Sequence, residues 1–300
     1  MQRVKKTWQR VDGVLLLDKP IGLTSNDALQ KARRLFSAAK GGHTGTLDPL
    51  ATGLLPLCFG EATKFSADLL DADKTYEAVL KLGVTTDSGD VDGKIIATAP
   101  VLVSESDVAR VLPQFTGDLQ QIPPMHSALK RDGRPLYELA RQGIEVERAP
   151  RAITIYSLEC LAFAGDTLTL RVACSKGTYI RVLAADIGNA LGCGAHLAAL
   201  RRTVVGDLDL ANAVTLDELM ALDEVGRAGH LQPVDALVHT LPIVAVEGEA
   251  EQRFRHGNPV DLPEGLGGKI RVYAGGQLIG VGEPGPDGRL WPKRLVQLAP

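Results

Sequence analysis

Apolar positions along the chain switch between two spacings, and the switches mark out the elements. Val14–Leu17 is an unbroken apolar run, read as a short buried strand that stops at Asp18-Lys19-Pro20 and Gly22. Ser25 stands as an N-cap ahead of Ala28, Leu29, Ala32, Leu35 and Phe36, which share one helical face. From Thr75 to Leu82 the spacing is two. Tyr76, Ala78, Leu80 and Leu82 lie on one side and Glu77 and Lys81 on the other, the pattern of a half-buried strand. Ser104 with Asp107 caps a second helix bearing Val108, Val111, Leu112 and Phe115. Ala152–Leu158 and Thr167–Cys174 read as further strands, Thr178 opens a helix toward Gly188, and Thr215 with Glu218 forms a capping box.

No repeat and no regular βαβ rhythm orders these elements. The pattern therefore predicts an α+β fold with a mixed, largely antiparallel central sheet flanked by helices. Residues 122–150, Pro- and Arg-bearing and weakly patterned, read as an insertion with mobile parts. A composition shift near Val244–Glu251 divides a main domain, residues 1–247, from a C-terminal unit, residues 248–300. There Lys269–Tyr273, the turn Ala274-Gly275-Gly276 and Gln277–Gly282 make a hairpin, and Leu290–Leu298 supplies another strand. At about 50 residues this unit is marginal as an independent core. It is expected to dock on the main domain as a small β module whose removal weakens binding and spares chemistry.

Composition narrows the picture. The 300 residues are 45% hydrophobic and 23% charged, ordinary for a globular protein able to bury a core. A net charge of −3 means that any nucleic-acid partner must be met by local charge. Residues 171–202 provide some: Arg171, Lys176, Arg181, Arg201 and Arg202 stand against Asp186. Lys130, Arg131, Arg134, Arg141, Arg148 and Arg151 add more around the insertion, although any single one of them also fits a solvated face.

Cys58, Cys160, Cys174 and Cys193 are isolated, which fits buried, reduced thiols. The opening MQRVKKTWQR is basic, but the apolar run after it is too short for a signal peptide or a membrane span, so the cytoplasm is the expected location. The histidines show no paired ligand spacing, and no metal site is expected. Asp87–Gly93 looks like a calcium loop, yet Ala99 falls where the bidentate glutamate belongs, so it reads as a solvated acidic turn.

Two segments carry candidate chemistry. In Gly41-Gly42-His43-Thr44-Gly45-Thr46-Leu47-Asp48-Pro49, glycines and hydroxyls precede one aspartate that a proline follows. Such a loop brings backbone close to a ligand and holds a carboxylate at a fixed angle, although a plain Asp-Pro turn fits the same local features. In Ser175-Lys176-Gly177-Thr178-Tyr179-Ile180-Arg181, Tyr179 and Arg181 stand at a helix start just past a strand end. Arg181 is suited to pair with Asp48, and a solvated surface arginine is the alternative. Tyr76 fits either a core aromatic or a stacking platform for a base.

Taken together, these segments resemble the TruB pseudouridine synthases. The matching stretches are Asp18-Lys19-Pro20-Ile21-Gly22-Leu23-Thr24-Ser25, the Gly42–Gly53 loop, Lys74-Thr75-Tyr76, Lys176–Arg181 and Leu200-Arg201-Arg202-Thr203. The similarity covers essentially the whole chain in register, and His-Thr-Gly-Thr-Leu-Asp-Pro is highly specific. After Thr203 the chain departs from the family pattern, reading Val204-Val205-Gly206-Asp207-Leu208 where relatives often have Ser-Gly and an aromatic. The resemblance implies a pseudouridine synthase fold with a C-terminal PUA-like RNA-binding domain, acting on uridine 55 of the tRNA T loop.

It also implies roles for single residues. Asp48 matches the catalytic aspartate. Tyr76 matches the aromatic that stacks on the uracil and is implicated in removing its C5 proton. Tyr179 and Arg181 match the pair that frames the base and holds the aspartate, His43 a residue inserted into the RNA, and Leu200 a wall of the uracil pocket. Lys64, Arg201 and Arg202 are expected at RNA phosphates.

No cofactor is expected, since the reaction exchanges one C–N bond for a C–C bond without redox change. The expected partner is the tRNA T stem-loop, with no membrane and no obligate protein partner, the molecule being a monomer. Two other classes stay in view: an RNA-folding helper that works without turnover, and a glycoside-cleaving enzyme, which normally needs paired carboxylates.

Overall fold

A computed structural model describes residues 7–127, 129–131 and 133–297. The basic residues 1–6, residue 132 of the insertion and Leu298 of the last expected strand lie outside them. One large sheet organises the main body. Its neighbouring strands run in the order Val214–Thr215, Gly13–Lys19, Ala51–Phe59, Ala195–Val205, Lys74–Leu82, Thr167–Cys174, Arg151–Ala164 and Gly117–Gln121. Ala51–Phe59 runs parallel to Ala195–Val205, and Gly13–Lys19 parallel to Val214–Thr215; the remaining contacts along this order are antiparallel. The fold is α+β with a mixed, largely antiparallel sheet.

The apolar run at the start of the chain is central because both of its faces are covered. Leu15 and Leu17 point to one side, against Ala28, Leu29, Ala32 and Phe36 of the helix Ser25–Phe36. Val14 and Leu16 point to the other, against Leu54, Cys58, Phe65 and three residues of the C-terminal unit. Farther along, the helix Ile180–Ala190 lays Ile180, Leu183, Ala184 and Ile187 on Ala78, Leu80, Leu170 and Val172.

Helix starts show how local chemistry and packing divide the work. Ser104 with Asp107 and Thr215 with Glu218 form capping boxes where the spacing predicts them. At the first helix the cap is Thr24, with Asp27 completing the box. Ser25 is the first helical residue and is turned inward, a correction explained by its bonds to Leu47 described below. The helix expected to open at Thr178 begins at Ile180, because the Thr178 hydroxyl is held by the Ser175 carbonyl. Cys58, Cys174 and Cys193 are buried, but Cys160 is exposed, since the outer half of Arg151–Ala164 is largely uncovered. The insertion contains the short hairpin Lys130–Arg131/Arg134–Pro135 and the helix Leu136–Arg141, anchored by Leu136 and Leu139.

The C-terminal unit is a four-stranded sheet in the order Ile243–Ala245, Ile270–Ala274, Gln277–Pro284 and Leu290–Leu295, with Phe254 of the helix Gly248–Arg255 in its core. It is docked on the main body. Leu278, Val281 and Val296 belong to the same apolar cluster as Val14, Leu16 and Leu54 of the main sheet. Arg271 pairs with Asp235 at 3.1 Å, Lys269 pairs with Asp68, and Lys64 donates to the Leu295 carbonyl at 2.7 Å.

Burying an aliphatic side chain stabilises by about 1.5–3 kcal/mol. Three of them lost at this face remove a large part of a margin of about 5–15 kcal/mol. A chain truncated after residue 247 is therefore expected to melt at least about 10 °C lower or not to fold cooperatively, as read by calorimetry. An unchanged melting temperature would refute this packing role.

Candidate active site

Asp48 sits on a turn whose backbone is held from both sides. The strand Gly41–His43 leads into it, paired with Leu57–Phe59, and Ala51–Phe59 leads out. The buried Ser25 hydroxyl accepts from the Leu47 amide at 2.7 Å and donates to the Leu47 carbonyl at 3.0 Å. The Gly22 amide donates to the Pro49 carbonyl at 2.8 Å. The segment Asp18–Ser25 is thus the clamp that fixes the residues on either side of Asp48. Beneath it the buried Lys19 ammonium donates to the carbonyls of Leu23 at 2.6 Å and Pro20 at 2.9 Å. Burial pushes its pKa down to about 8, against the pull of the Asp48 carboxylate.

Arg181 holds the side chain itself. Its Nη2 lies 3.1 Å from Asp48 Oδ2 and its Nη1 3.4 Å from Asp90 Oδ2. The same guanidinium donates to the His126 carbonyl at 2.6 Å and the Ser88 carbonyl at 3.3 Å. Arg181 and Asp90 expose only 6% and 7% of their side chains, whereas Asp48 exposes 42%. The cation is therefore anchored from behind, and the front carboxylate remains open to a substrate. Burial is the largest influence on Asp48 and raises its pKa, while Arg181 and Lys19 pull it down and Asp90 and Asp92 push it up.

Asp90 corrects the reading of Asp87–Gly93 as a solvated acidic turn. Asp90 Oδ1 accepts from Ser88 Oγ at 2.5 Å and from the Asp92 amide at 3.2 Å, so the turn folds around this carboxylate. Gly89, at φ +75°, brings it against the Arg181 backbone. Gln121 is a second residue that the sequence does not single out. Its side chain accepts from the Tyr179 amide at 2.7 Å and donates to the Tyr179 carbonyl at 3.1 Å, fixing the residue ahead of the helix.

Tyr76 and Tyr179 lie within electrostatic reach of the Asp48 carboxylate, and Leu200 packs in the same clusters as Tyr76. Tyr76 lies between Val172 and Arg202 in the neighbouring strands, and Leu200 between Ala51 and Ala78. Tyr76 and Leu200 pack against the same two apolar clusters. Burial raises the pKa of Tyr76 and of Tyr179, and the Asp48 charge raises both further, so all three share one electrostatic neighbourhood. His43 is half-buried, and burial followed by the Arg202 charge lowers its pKa, which keeps its ring neutral.

The cations expected at phosphates divide. Arg202 is 1% exposed and cannot reach a phosphate, which corrects that expectation. Neighbours on a strand face opposite sides, and Arg202 is the inward one. Arg201 faces outward with 40% of its side chain exposed, bonded through both terminal nitrogens to Asp18 at 2.6 and 3.2 Å. Lys64 is engaged by Glu61 at 2.6 Å and by the C-terminal unit. Just upstream of Tyr179 opens a cleft of about 800 Å³, lined among others by Arg151, Thr154, Ser175 and Lys176. The site offers one open carboxylate within electrostatic reach of two tyrosines, next to an apolar cluster that holds Tyr76 and Leu200.

Comparisons with known proteins agree with this chemistry. Residues 33–180 match the model of the TruB family pseudouridylate synthase N-terminal domain. Residues 181–239 match the tRNA pseudouridylate synthase B C-terminal domain, and 242–296 the pseudouridine synthase II TruB C-terminal model. The tRNA pseudouridine synthase B of Dechloromonas aromatica (strain RCB) is 78% identical over 98% of this chain and 99% of its own. The chain belongs to the TruB family.

The tRNA pseudouridine synthase B of Azoarcus sp. (strain BH72) is 59% identical, covering 95% of each chain. Among solved structures, a chain of a Cbf5-Nop10-Gar1 complex matches with a TM-score of 0.68 at 29% identity, over 90% of this chain and 78% of that one. A TruB-family site thus gains here a named support, Asp90, for its arginine. Asp90→Asn removes the rear charge from a buried guanidinium, and a loss of about 1–3 kcal/mol is expected in urea denaturation at unchanged slope. Because the Asp90 charge raises the Asp48 pKa, the Asp48 carboxyl should titrate lower in this variant by carbon NMR; a rise would contradict the arrangement.

Proposed function

We propose that this isomerase converts uridine 55 in the T loop of tRNA to pseudouridine, with Asp48 as the catalytic group. The observation that carries the reading is the Asp48 carboxylate, 42% exposed and held on Arg181 beside Tyr76, Tyr179 and Leu200. The names of the close relatives support a tRNA substrate. The reaction breaks N1–C1′, turns the uracil and forms C5–C1′; the C5 proton leaves to water and N1 takes a proton from water, so no net proton is lost. Asp48 must be ionised for this, either to bond to the nucleoside or to balance a cationic sugar. Arg181 and Lys19 favour that state against burial.

A uracil in a folded loop must be everted to reach Asp48, at a cost of a few kcal/mol. Stacking on Tyr76, framing by Tyr179 and contact with Leu200 offset part of it. A neutral His43 ring suits the gap left in the RNA stack. Arg151 and Lys176, in the cleft beside Tyr179, are suited to the flanking phosphates, with Arg201 and Lys64 as outer contacts. The C-terminal unit acts as a PUA-like RNA-binding surface, and the protein works in the cytoplasm as a monomer without a cofactor. A glycoside-cleaving role is disfavoured because Asp90, the acid nearest to Asp48 through Arg181, is buried and faces away from the open side.

Tritium release from a tRNA transcript carrying C5-tritiated uridine tests the reading. Release by the wild type that falls at least about a thousandfold in Asp48→Asn supports it. Comparable release from both rejects it, and a variant that still assists tRNA folding assigns that assistance to binding alone.

The pH profile follows from the site's two shifted groups. The single-turnover rate should rise as Asp48 loses its proton, through a pKa above the ordinary 3.8, and fall as Lys19 loses its own near about 8. Neutral Lys19 holds the clamp carbonyls less tightly and adds no charge beneath Asp48. A rate that stays flat from about pH 7 to 10 removes Lys19 from this account.

A further inference from the structure

Among the described residues Arg202 is the largest fully buried side chain, and no carboxylate pairs with it. A guanidinium carries five N–H donors, and a buried one must find acceptors for them. Nε donates to the Leu54 carbonyl at 2.8 Å and Nη2 reaches the Gly45 carbonyl at 3.4 Å. Leu54 belongs to the strand on one side of Arg202; Gly45 belongs to the turn that carries Asp48. On the other side Tyr76 is the cross-strand partner of Arg202, and the guanidinium is near enough to its phenol to oppose the effect of burial on it.

This approach depends on Gly53, at φ +96°, the partner of Arg202 in the parallel strand. A Cβ there would stand 2.3 Å from the Arg202 carbonyl oxygen and 2.8 Å from its amide nitrogen. The glycine that closes the Asp48 segment thus lets the Arg202 strand come close enough for one cation to touch both the turn and Tyr76.

We propose that Arg202 is a positioning residue for pseudouridine formation: its buried guanidinium ties the Tyr76 phenol to the Asp48 turn, so that ring and carboxylate meet the everted uracil as one preassembled wall. The inference rests on the reading of this site as a pseudouridine synthase centre. It replaces the phosphate contact with an internal role. A phenol oxygen that accepts from the guanidinium must direct its own O–H elsewhere.

The test is a double-substitution cycle in the full chain, read by single-turnover tritium release and by tRNA binding. Arg202→Lys keeps the charge and loses the planar fork. It should slow release by about tenfold to a hundredfold, the scale of a misplaced reacting group, with tRNA affinity within about threefold. In a Tyr76→Phe background the same substitution should change the residual rate by less than about threefold. An equal loss in both backgrounds overturns the proposal. So does a loss carried wholly by weaker, less salt-dependent tRNA binding, the mark of a phosphate contact.

Tyr76→Phe also gives a readout that needs neither turnover nor a folded Arg202 variant. Removing only the phenol oxygen strands a buried donor, so the melting temperature should fall by about 3 °C or more. A protein melting at or above wild type refutes the pairing. Absence of tritium release from wild type defeats the functional reading instead, and the melting result still decides on the Arg202–Tyr76 contact.

Discussion

The site depends on an ion pair with one half buried and the other half open. A guanidinium taken out of water costs several kcal/mol unless its donors and charge are met. Asp90 and the carbonyls of Ser88 and His126 meet them from behind, away from the open side. Arg181 therefore does not need Asp48 for its own stability. Nη2, which already donates to His126, can turn its other N–H to a carboxylate that keeps an exposed face. Were Asp48 the only partner, the pair would close on itself, and the carboxylate would be neither accessible nor free to exchange the arginine for a developing charge.

The sheet order collects the remaining parts. Ala51–Phe59, Ala195–Val205 and Lys74–Leu82 are distant in sequence and adjacent in space, so Leu200 and Arg202 are delivered between the Asp48 turn and Tyr76. The one parallel contact among these three strands sets the direction. It brings the start of the strand after Asp48 beside Leu200 and lets Gly53 meet Arg202. On the far side of the same strands the C-terminal unit fills the face that Val14, Leu16 and Leu54 present. Holding the turn and holding the domain are thus two faces of one element, and a loss of packing beneath Leu54 reaches Arg202 through a single hydrogen bond.

Much of this was legible in the chain. The spacing of Tyr76, Ala78, Leu80 and Leu82 announced a half-buried strand, and the Ser104 and Thr215 boxes announced helix starts. The segments Asp18–Ser25 and Gly41–Gly53 stood out as motifs, and the bond from Ser25 to Leu47 explains why they occur together. What stayed hidden was burial across the chain. Asp90 lies in a run of Asp, Ser and Gly that has the composition of a solvated turn, and only Arg181, nearly a hundred residues away, makes it an interior group. Ser25 has the chemistry of a cap, but its hydroxyl was claimed by a tertiary partner. The Arg201-Arg202 pair was legible in part, since adjacent strand residues face opposite ways and both could not meet the same phosphate backbone.

That division bears on how an acidic protein meets RNA. Lys19, Lys74, Arg181, Arg202 and Arg271 are all buried, spent on carbonyls and acids of the interior. Arg201 faces out but shares its charge with Asp18. Exposed cations at the insertion (Lys130, Arg131, Arg134 and Arg141) and at the cleft of Arg151 and Lys176 stand among others spread over the surface. Each phosphate neutralised by such a group contributes to affinity through released counterions. With a net charge of −3, long-range attraction to a polyanion is expected to supply only a modest share of any RNA binding. The rest must come from shape and from stacking of everted bases on rings already held in place. A rigid site is then a condition of recognition as well as of chemistry, because a wall that had to assemble after contact would lose ordering entropy that this weak electrostatic pull does not replace.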